Sequence, residues 1–184
     1  RVEQAEYTVL KIADGYEIRN YPSHLVAKTT VTGSYSQSMS MGFSLVAGYI
    51  FGANTKKQTI AMTSPVLMEE NVFEKIAMTA PVMVDNENEM RTISFGMPKS
   101  YTLDTLPTPT DSRVTIVEVP TKKFAVLRFA GYRTDNHIQA MEKKLLELLS
   151  QDKIETLGKP SYAGYNAPGT PPWMTRNEVL IETR

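Results

Sequence analysis

The sequence contains no cysteine, which excludes disulfide bonds, thiolate metal sites and cysteine nucleophiles. Its 20 basic and 20 acidic side chains cancel, so the composition does not indicate binding to nucleic acid. No apolar run approaches the roughly 20 residues that a membrane-spanning helix requires. Histidine occurs only twice and tryptophan once in 184 residues. These absences remove several classes of catalyst and leave the compartment of the protein open.

The residues that are present predict a single domain built from two similar halves. Strand-like alternation, a glycine and then a helical period occur near residues 24–51, and the same order returns near residues 124–151. We therefore expect an α+β fold with a pseudo-twofold duplicated repeat. In this prediction a curved antiparallel or mixed sheet, close to a distorted barrel, is flanked by two helices. The first repeat covers about residues 6–98 and the second about residues 113–184.

A short motif occurs twice in the first half. Ile-Ala-Met-Thr-Ser-Pro-Val occupies residues 60–66, and the same motif with Ala80 in place of Ser64 occupies residues 76–82. Near-alternation of apolar and polar residues predicts two short strands that end at proline, with residues 67–74 as their hairpin connection. The matching Met62 and Met78 also fit a surface that adapts to a flat apolar ligand. The pattern leaves both the structural and the binding interpretation open.

The two predicted helices differ in charge. Residues 36–51 have helical spacing of apolar residues but no Arg, Lys, Asp, Glu or His, whereas residues 135–151 have an apolar stripe and a charged outer face. The second pattern is typical of a helix that packs on a sheet and faces water. The uncharged outer face of the first helix is compatible with cover by a ligand or a partner, and equally with a solvent face of small polar residues.

The loop before the last predicted strand carries the single tryptophan. Residues 166–174 contain three prolines and end in Trp173 and Met174. A stiff loop that displays large apolar side chains is a candidate wall of a binding site. The alternative is that Trp173 closes one end of the core.

Four motifs together resemble the SOUL family of haem-binding proteins. They are Gly-Tyr-Ile-Phe-Gly-Ala-Asn at 48–54, the doubled motif, Pro-Pro-Trp at 171–173 and Arg-Asn-Glu-Val at 176–179. The resemblance runs over about residues 6–182 and implies the duplicated fold described above. It also implies that the protein binds haem or another tetrapyrrole in a hydrophobic cleft between the first helix and the tryptophan loop, as a carrier, buffer or sensor.

Carried over to this sequence, the resemblance predicts seven cofactor-binding residues: Gly42, Leu45, Val46, Tyr49, Trp173, Met174 and Arg176. Some relatives have a histidine proposed as an iron ligand where this chain has Asn20. Neither His24 nor His137 matches that position. The resemblance therefore implies haem held non-covalently, by apolar contact, without a strong axial ligand from the protein.

Two other functions remain open. A small enzyme that acts on an apolar or tetrapyrrole substrate would use Glu178 and Tyr165 as general acid and base. A salt bridge from Glu178 to Arg19 or Arg176 would count against it, and no nucleophile-elbow, zinc or phosphate-loop pattern supports it. A protein-interaction module, as a possible homodimer, would instead bury the uncharged first helix.

Overall fold

The structure is a computed structural model that describes residues 3–33, 35–70, 90–166 and 169–184. Its elements follow the order β1(Thr8–Ile12), β2(Glu17–Tyr21), β3(His24–Thr32), α1(Tyr35–Ile50), β4(Val66–Glu70), β5(Met90–Gly96), β6(Thr115–Val119), β7(Lys122–Phe129), α2(Asp135–Gln151), β8(Thr156–Gly164) and β9(Asn177–Thr183). No helix in these ranges is long and apolar enough to cross a membrane.

The nine strands form one curved, unclosed sheet in the order β1-β2-β7-β9-β8-β4-β5-β3-β6. The described strands pair antiparallel throughout. If β2, β3, β4 and β5 are exchanged with β6, β7, β8 and β9, the order of these eight strands reads the same from the opposite end. The strand order thus has the pseudo-twofold symmetry predicted from the sequence, with β1 added at one edge. The exact limits of the two repeats stay a prediction.

Both helices pack on the same face of the sheet. Helix α1 lies on β3 and β5, and α2 lies on β9, β7 and β8. Each helix covers its own apolar cluster. Because side chains alternate along a strand, Ala27 and Val31 of β3 face α1, as do Ile93 and Phe95 of β5. The alternate residues of the same strands, such as Lys28 and Ser94, point to the opposite face, which has no helix in the described part of the chain.

Helix α1 approaches the sheet closely at Gly42. A Cβ atom placed on Gly42 would lie 2.2 Å from Cγ1 of Ile93, so only glycine fits at this helix position. At Gly48 a Cβ would meet nothing within 4 Å, because that side of α1 faces outward. Met41 on α1 and Phe51, just after its end, are also exposed. None of the described residues covers this uncharged outer side of α1 at Gly48, and the possible homodimer stays a prediction.

The two twin strands need a correction. Residues 59–63 and 65 are irregular, and β4 begins only at Val66, so the first copy is not a strand and Leu67 lies within β4 instead of a hairpin connection. The reason is hydrogen bonding. The Ile60 amide donates to the Ile50 carbonyl, and Ser64 exchanges backbone bonds with Glu3 and Ala5. No strand of the described residues pairs with residues 60–63. The second copy, at 75–82, lies outside the described residues.

Candidate ligand-binding trough

The face of the sheet opposite the helices carries a large open depression, which we call the trough, with a cavity volume of about 950 Å³. Eight of the nine strands contribute to its lining, so the sheet curves around it. Its apolar lining includes Val26, Leu67, Val117, Phe124, Ala163 and Leu180. Residues 3–6 and 98–104 form further parts of its wall. The volume falls within the range of roughly 300–1,000 Å³ found for small-molecule sites.

Charged side chains share the trough with this apolar lining. Lys28, Glu69 and Lys122 all line it, and the Lys122 ammonium lies 3.7 Å from the Glu182 carboxylate. Burial among the trough walls raises the pKa of Glu69, and the nearby Lys122 and Lys28 oppose that rise. The trough therefore combines an apolar surface with charged groups of both signs.

A buried ion cluster lies beside the tyrosines at one side of the trough. The Glu178 carboxylate is fully buried and accepts two bonds from Arg19, with Nη1–Oε1 at 2.8 Å and Nη2–Oε2 at 3.1 Å. Arg176 Nη2 donates to the same carboxylate at 2.9 Å, and Arg19 Nε also donates to Glu17 at 2.9 Å. The buried charges of Arg19 and Glu178 are therefore compensated, as burial away from water requires, and the half-buried Arg176 adds a second guanidinium to the cluster.

One aromatic ring lies against each of the two guanidinium groups of this cluster. Arg19 lies 4.1 Å from the centroid of the Tyr7 ring, and Arg176 lies 3.9 Å from that of Tyr165. Such contacts add cation–π attraction to the ion pairs. Tyr21 and Tyr165 also line the trough, so one side of it is an aromatic wall held in place by the buried charges.

This cluster bears on the enzyme alternative. Glu178 forms salt bridges with both Arg19 and Arg176, the arrangement expected to count against an acid–base role. Burial, reinforced by the Glu178 charge, raises the pKa of Tyr165, so its phenol stays protonated near neutral pH and is a poor base. The Glu178 carboxylate is thus held by two guanidinium groups, which counts against a role as a general acid or base.

The four predicted site residues of α1 lie on the helix-covered side of the sheet. Val46 and Tyr49 are fully buried in the α1 cluster, and the Tyr49 hydroxyl donates to the Pro107 carbonyl at 2.7 Å. Gly42 is pressed against Ile93, and Leu45 is half-buried against the same cluster. None of the four belongs to the trough lining. Their part in cofactor binding stays a prediction.

The three predicted site residues near the C-terminus are divided between two surroundings. Trp173 is 78% exposed and Met174 is 65% exposed, on a short 3-10 turn, Pro172–Met174, whose Pro172 carbonyl accepts from the Gly131 amide. Arg176 instead joins the buried ion cluster behind the aromatic wall. The structure brings Trp173 and Met174 together on the surface, while Arg176 sits nearest to the trough.

Most trough residues were not singled out from the sequence. Their signal was present in the strand alternation, since Val26 and Lys28 alternate with Ala27 and Thr29 on β3. The alternation separates two faces but does not tell which one carries a ligand. Among the described residues no group of three or more His, Asp or Glu side chains could hold a metal ion by itself.

Comparison with solved structures defines the class of fold. The chain aligns with the EcmrR C-terminal domain with a TM-score of 0.68 at 8% identity, covering 97% of this chain and 98% of that one. It also aligns with a hydrolase from Listeria innocua, with a TM-score of 0.61 at 9% identity over 95% of this chain and 94% of the other. At such low identity these likenesses establish a shared α+β fold and nothing about the ligand.

The sequence comparison defines the family. The model of the SOUL heme-binding protein family matches residues 2–182, and the chain belongs to that family. It is 28% identical over 155 residues to human Heme-binding protein 2, covering 83% of this chain and 71% of the relative. It is also 26% identical over 165 residues to Heme-binding protein 1 of Xenopus laevis, covering 89% of this chain and 81% of the relative.

Proposed function

We propose that this protein binds haem or a related tetrapyrrole reversibly in the trough. The single observation that carries this proposal is a cavity of about 950 Å³ with an apolar floor on the helix-free face of the sheet. Membership of the SOUL heme-binding protein family and the names of its curated relatives support the choice of ligand. A flat apolar ring with carboxylate substituents is complementary to an apolar trough that also contains Lys28 and Lys122.

Apolar contact supplies most of the affinity in this proposal. Burial of apolar area contributes about 25 cal/mol per Å², which is enough for a ligand of this size to bind without a strong bond to the metal. The absence of cysteine from this sequence excludes thioether attachment, and non-covalent binding is part of the proposal. Lys28 and Lys122 pair with the ligand carboxylates and orient the ring. When bound, the iron would supply its own redox and ligand-exchange chemistry.

The experiment is a spectral titration of the purified protein with haemin and with iron-free protoporphyrin. We expect a Soret shift with haemin and a fluorescence change with protoporphyrin. Leu67→Glu places a charge on the trough floor. It should weaken the binding of haemin and of protoporphyrin by at least about tenfold each, because the charge would face the apolar ring. Leu146→Glu, at an exposed position of α2, is the matched control and should bind like the wild type. No spectral change in the wild-type protein would reject the proposal.

The cleft predicted between α1 and the tryptophan loop is the second candidate surface. Trp173 and Met174 are exposed and therefore accessible to a flat ligand. Trp173→Ala tests this surface directly. If Trp173→Ala binds haemin more weakly and Leu67→Glu binds it normally, the binding site is that cleft and not the trough.

A non-covalent site on an open trough suits a carrier or a buffer, because the ligand can leave without breaking a covalent bond. Transfer of haem from the loaded protein to an apo-globin measures this property. We expect complete transfer within minutes to hours. Retention of haem against an excess of the acceptor would instead favour a permanent cofactor.

A further inference from the structure

One imidazole lies on the trough. His24 opens β3 and shares its face with Val26 and Lys28, because residues two apart on a strand point to the same side. All three residues line the trough. His24 is exposed, so its ring stands at the solvent edge of the trough and not in its floor.

The orientation of the ring is fixed by its backbone neighbour. His24 Nδ1 lies 3.0 Å from the Pro22 carbonyl oxygen, which can only accept, so Nδ1 carries the proton. The neutral ring therefore has its lone pair on Nε2. A histidine that binds a metal through one nitrogen usually donates a hydrogen bond from the other one to a carbonyl or carboxylate. His24 already has this second interaction.

The turn before His24 is itself anchored. The Ser23 amide donates to the Thr121 hydroxyl at 3.1 Å, and the Ser23 hydroxyl donates to the Glu118 carboxylate at 3.1 Å. Both partners lie on or next to β6, which pairs with β3 at His24 and Val119. The Pro22 carbonyl and the imidazole are thus held in place by the neighbouring strand before any ligand arrives.

The other histidine of the chain is engaged elsewhere. His137 lies in the first turn of α2, with Nδ1 2.8 Å from the Tyr132 carbonyl oxygen and its ring 5.0 Å from that of Phe129. It does not line the trough. Since the full sequence has only two histidines, His24 is the one imidazole able to serve the trough within a single chain.

We propose that His24 Nε2 is an exchangeable axial ligand for the iron of haem bound in the trough. This inference rests on the proposed function and adds the residue that coordinates the metal. Nε2 donates its lone pair to the iron, and Nδ1–H keeps its bond to Pro22. Because His24 is exposed, water competes for the same coordination position. The imidazole therefore sets the spectrum and spin state more than the affinity, which apolar contact continues to dominate.

The experiment compares His24→Ala with the wild type for haemin and for iron-free protoporphyrin, with His137→Gln as the control for loss of an imidazole. We expect the ferric wild-type complex to give the absorption and electron paramagnetic resonance signals of nitrogen ligation. His24→Ala should lose them and weaken haemin binding by about tenfold, while protoporphyrin affinity stays within about twofold. Added imidazole should restore the signals of nitrogen ligation to His24→Ala. His137→Gln should match the wild type.

Each result separates this inference from the proposed function. If both porphyrins bind but His24→Ala keeps the wild-type haemin spectrum, His24 is not the ligand and the trough proposal survives. If His24→Ala weakens protoporphyrin as much as haemin, the side chain acts by contact or folding and not by coordination, which also overturns the inference. If neither porphyrin binds the wild-type protein, both proposals fail.

Discussion

The two faces of the sheet differ in how they are covered. On one face α1 and α2 bury two apolar clusters that include Phe95, Ile93 and Leu145. The other face carries the trough, whose apolar lining is interrupted by Lys28 and Glu69. The same strands supply both faces, and only the side of each residue differs.

The two faces of the sheet also differ in the charged groups that they contain. The helix-covered face is mostly apolar. Its buried polar groups include the hydrogen-bonded hydroxyl of Tyr49 and the guanidinium of Arg91, which shares a strand face with Ile93 and Phe95. The trough face keeps water access and tolerates ammonium and carboxylate groups, except at Glu178, where two guanidinium groups compensate the buried charge. We therefore expect substitutions on the first face to affect folding and those on the second to affect binding.

The largest effect should come from Phe95, which is fully buried beneath α1 and lies 5.4 Å, ring to ring, from Phe43. Phe95→Ala should lower the free energy of unfolding by about 3–5 kcal/mol, because it leaves a large cavity. Chemical denaturation measures the loss. Phe51→Ala, at an exposed residue just after α1, should change stability by less than about 0.5 kcal/mol. A similar loss for both variants would contradict the assignment of a buried and an open side of this helix.

The buried ion cluster should give the next effect. Glu178→Gln removes the charge shared by Arg19 and Arg176 while keeping the shape of the side chain, and should cost about 2–3 kcal/mol of folding free energy. The cause is that two guanidinium groups then lose their buried counter-charge. Glu118→Gln, whose exposed carboxylate accepts from Ser23, is the matched control and should be nearly neutral. Unchanged stability in Glu178→Gln would mean that the trough face solvates these charges as readily as the surface does.

Alkaline unfolding should report on the helix-covered face. Burial, followed by the effect of Tyr101, raises the pKa of Tyr49 to about 12. An unfolded tyrosine ionises near about pH 10, so the contribution of Tyr49 to stability is fully present below that pH and is lost as the pH rises towards 12. Tyr49→Phe should cost about 1 kcal/mol at neutral pH, through the hydrogen bond to Pro107. Between pH 10 and 12 it should lose less further stability than the wild type.

Urea denaturation at several pH values measures this difference in slope. Burial also raises the pKa of Tyr162 to about 12, so the slope should decrease and not vanish. Tyr132→Phe, at an exposed phenol, should keep the wild-type slope. Parallel stability curves for the wild type and Tyr49→Phe would show that Tyr49 is not protected from ionisation.

The smallest effect should appear on the trough face. Glu69→Gln removes a negative charge beside Lys28 and Lys122, and should strengthen haemin binding by about threefold, because the ligand carboxylates no longer meet that charge. Folding stability should change by less than about 0.5 kcal/mol. Haemin titration and denaturation of the same variant measure the two quantities. A loss of stability without a change in haemin affinity would contradict the expectation that substitutions on the trough face affect binding and not folding.

Much of the fold followed from local patterns. Helix α2 spans Asp135–Gln151, as its apolar stripe predicted, and β3 spans His24–Thr32. The strand predicted for the first copy of the twin motif begins only at Val66, and residues 60–63 are irregular. Among the described strands none pairs with residues 60–63, and the Ile60 amide donates to the Ile50 carbonyl at the end of α1. Alternation in a sequence indicates which residues would share a face if the segment were a strand. It does not indicate whether a partner strand is present.

The sequence by itself determined the duplicated α+β plan, the family and the absence of cysteine chemistry, because these depend on residue types and their order. Only the tertiary structure decided that both helices cover one face, that Glu178 lies between two arginines and that the other face forms a trough. Those facts depend on contacts between residues as far apart as Arg19 and Glu178, which are 159 positions apart in the chain and meet only when the sheet is assembled.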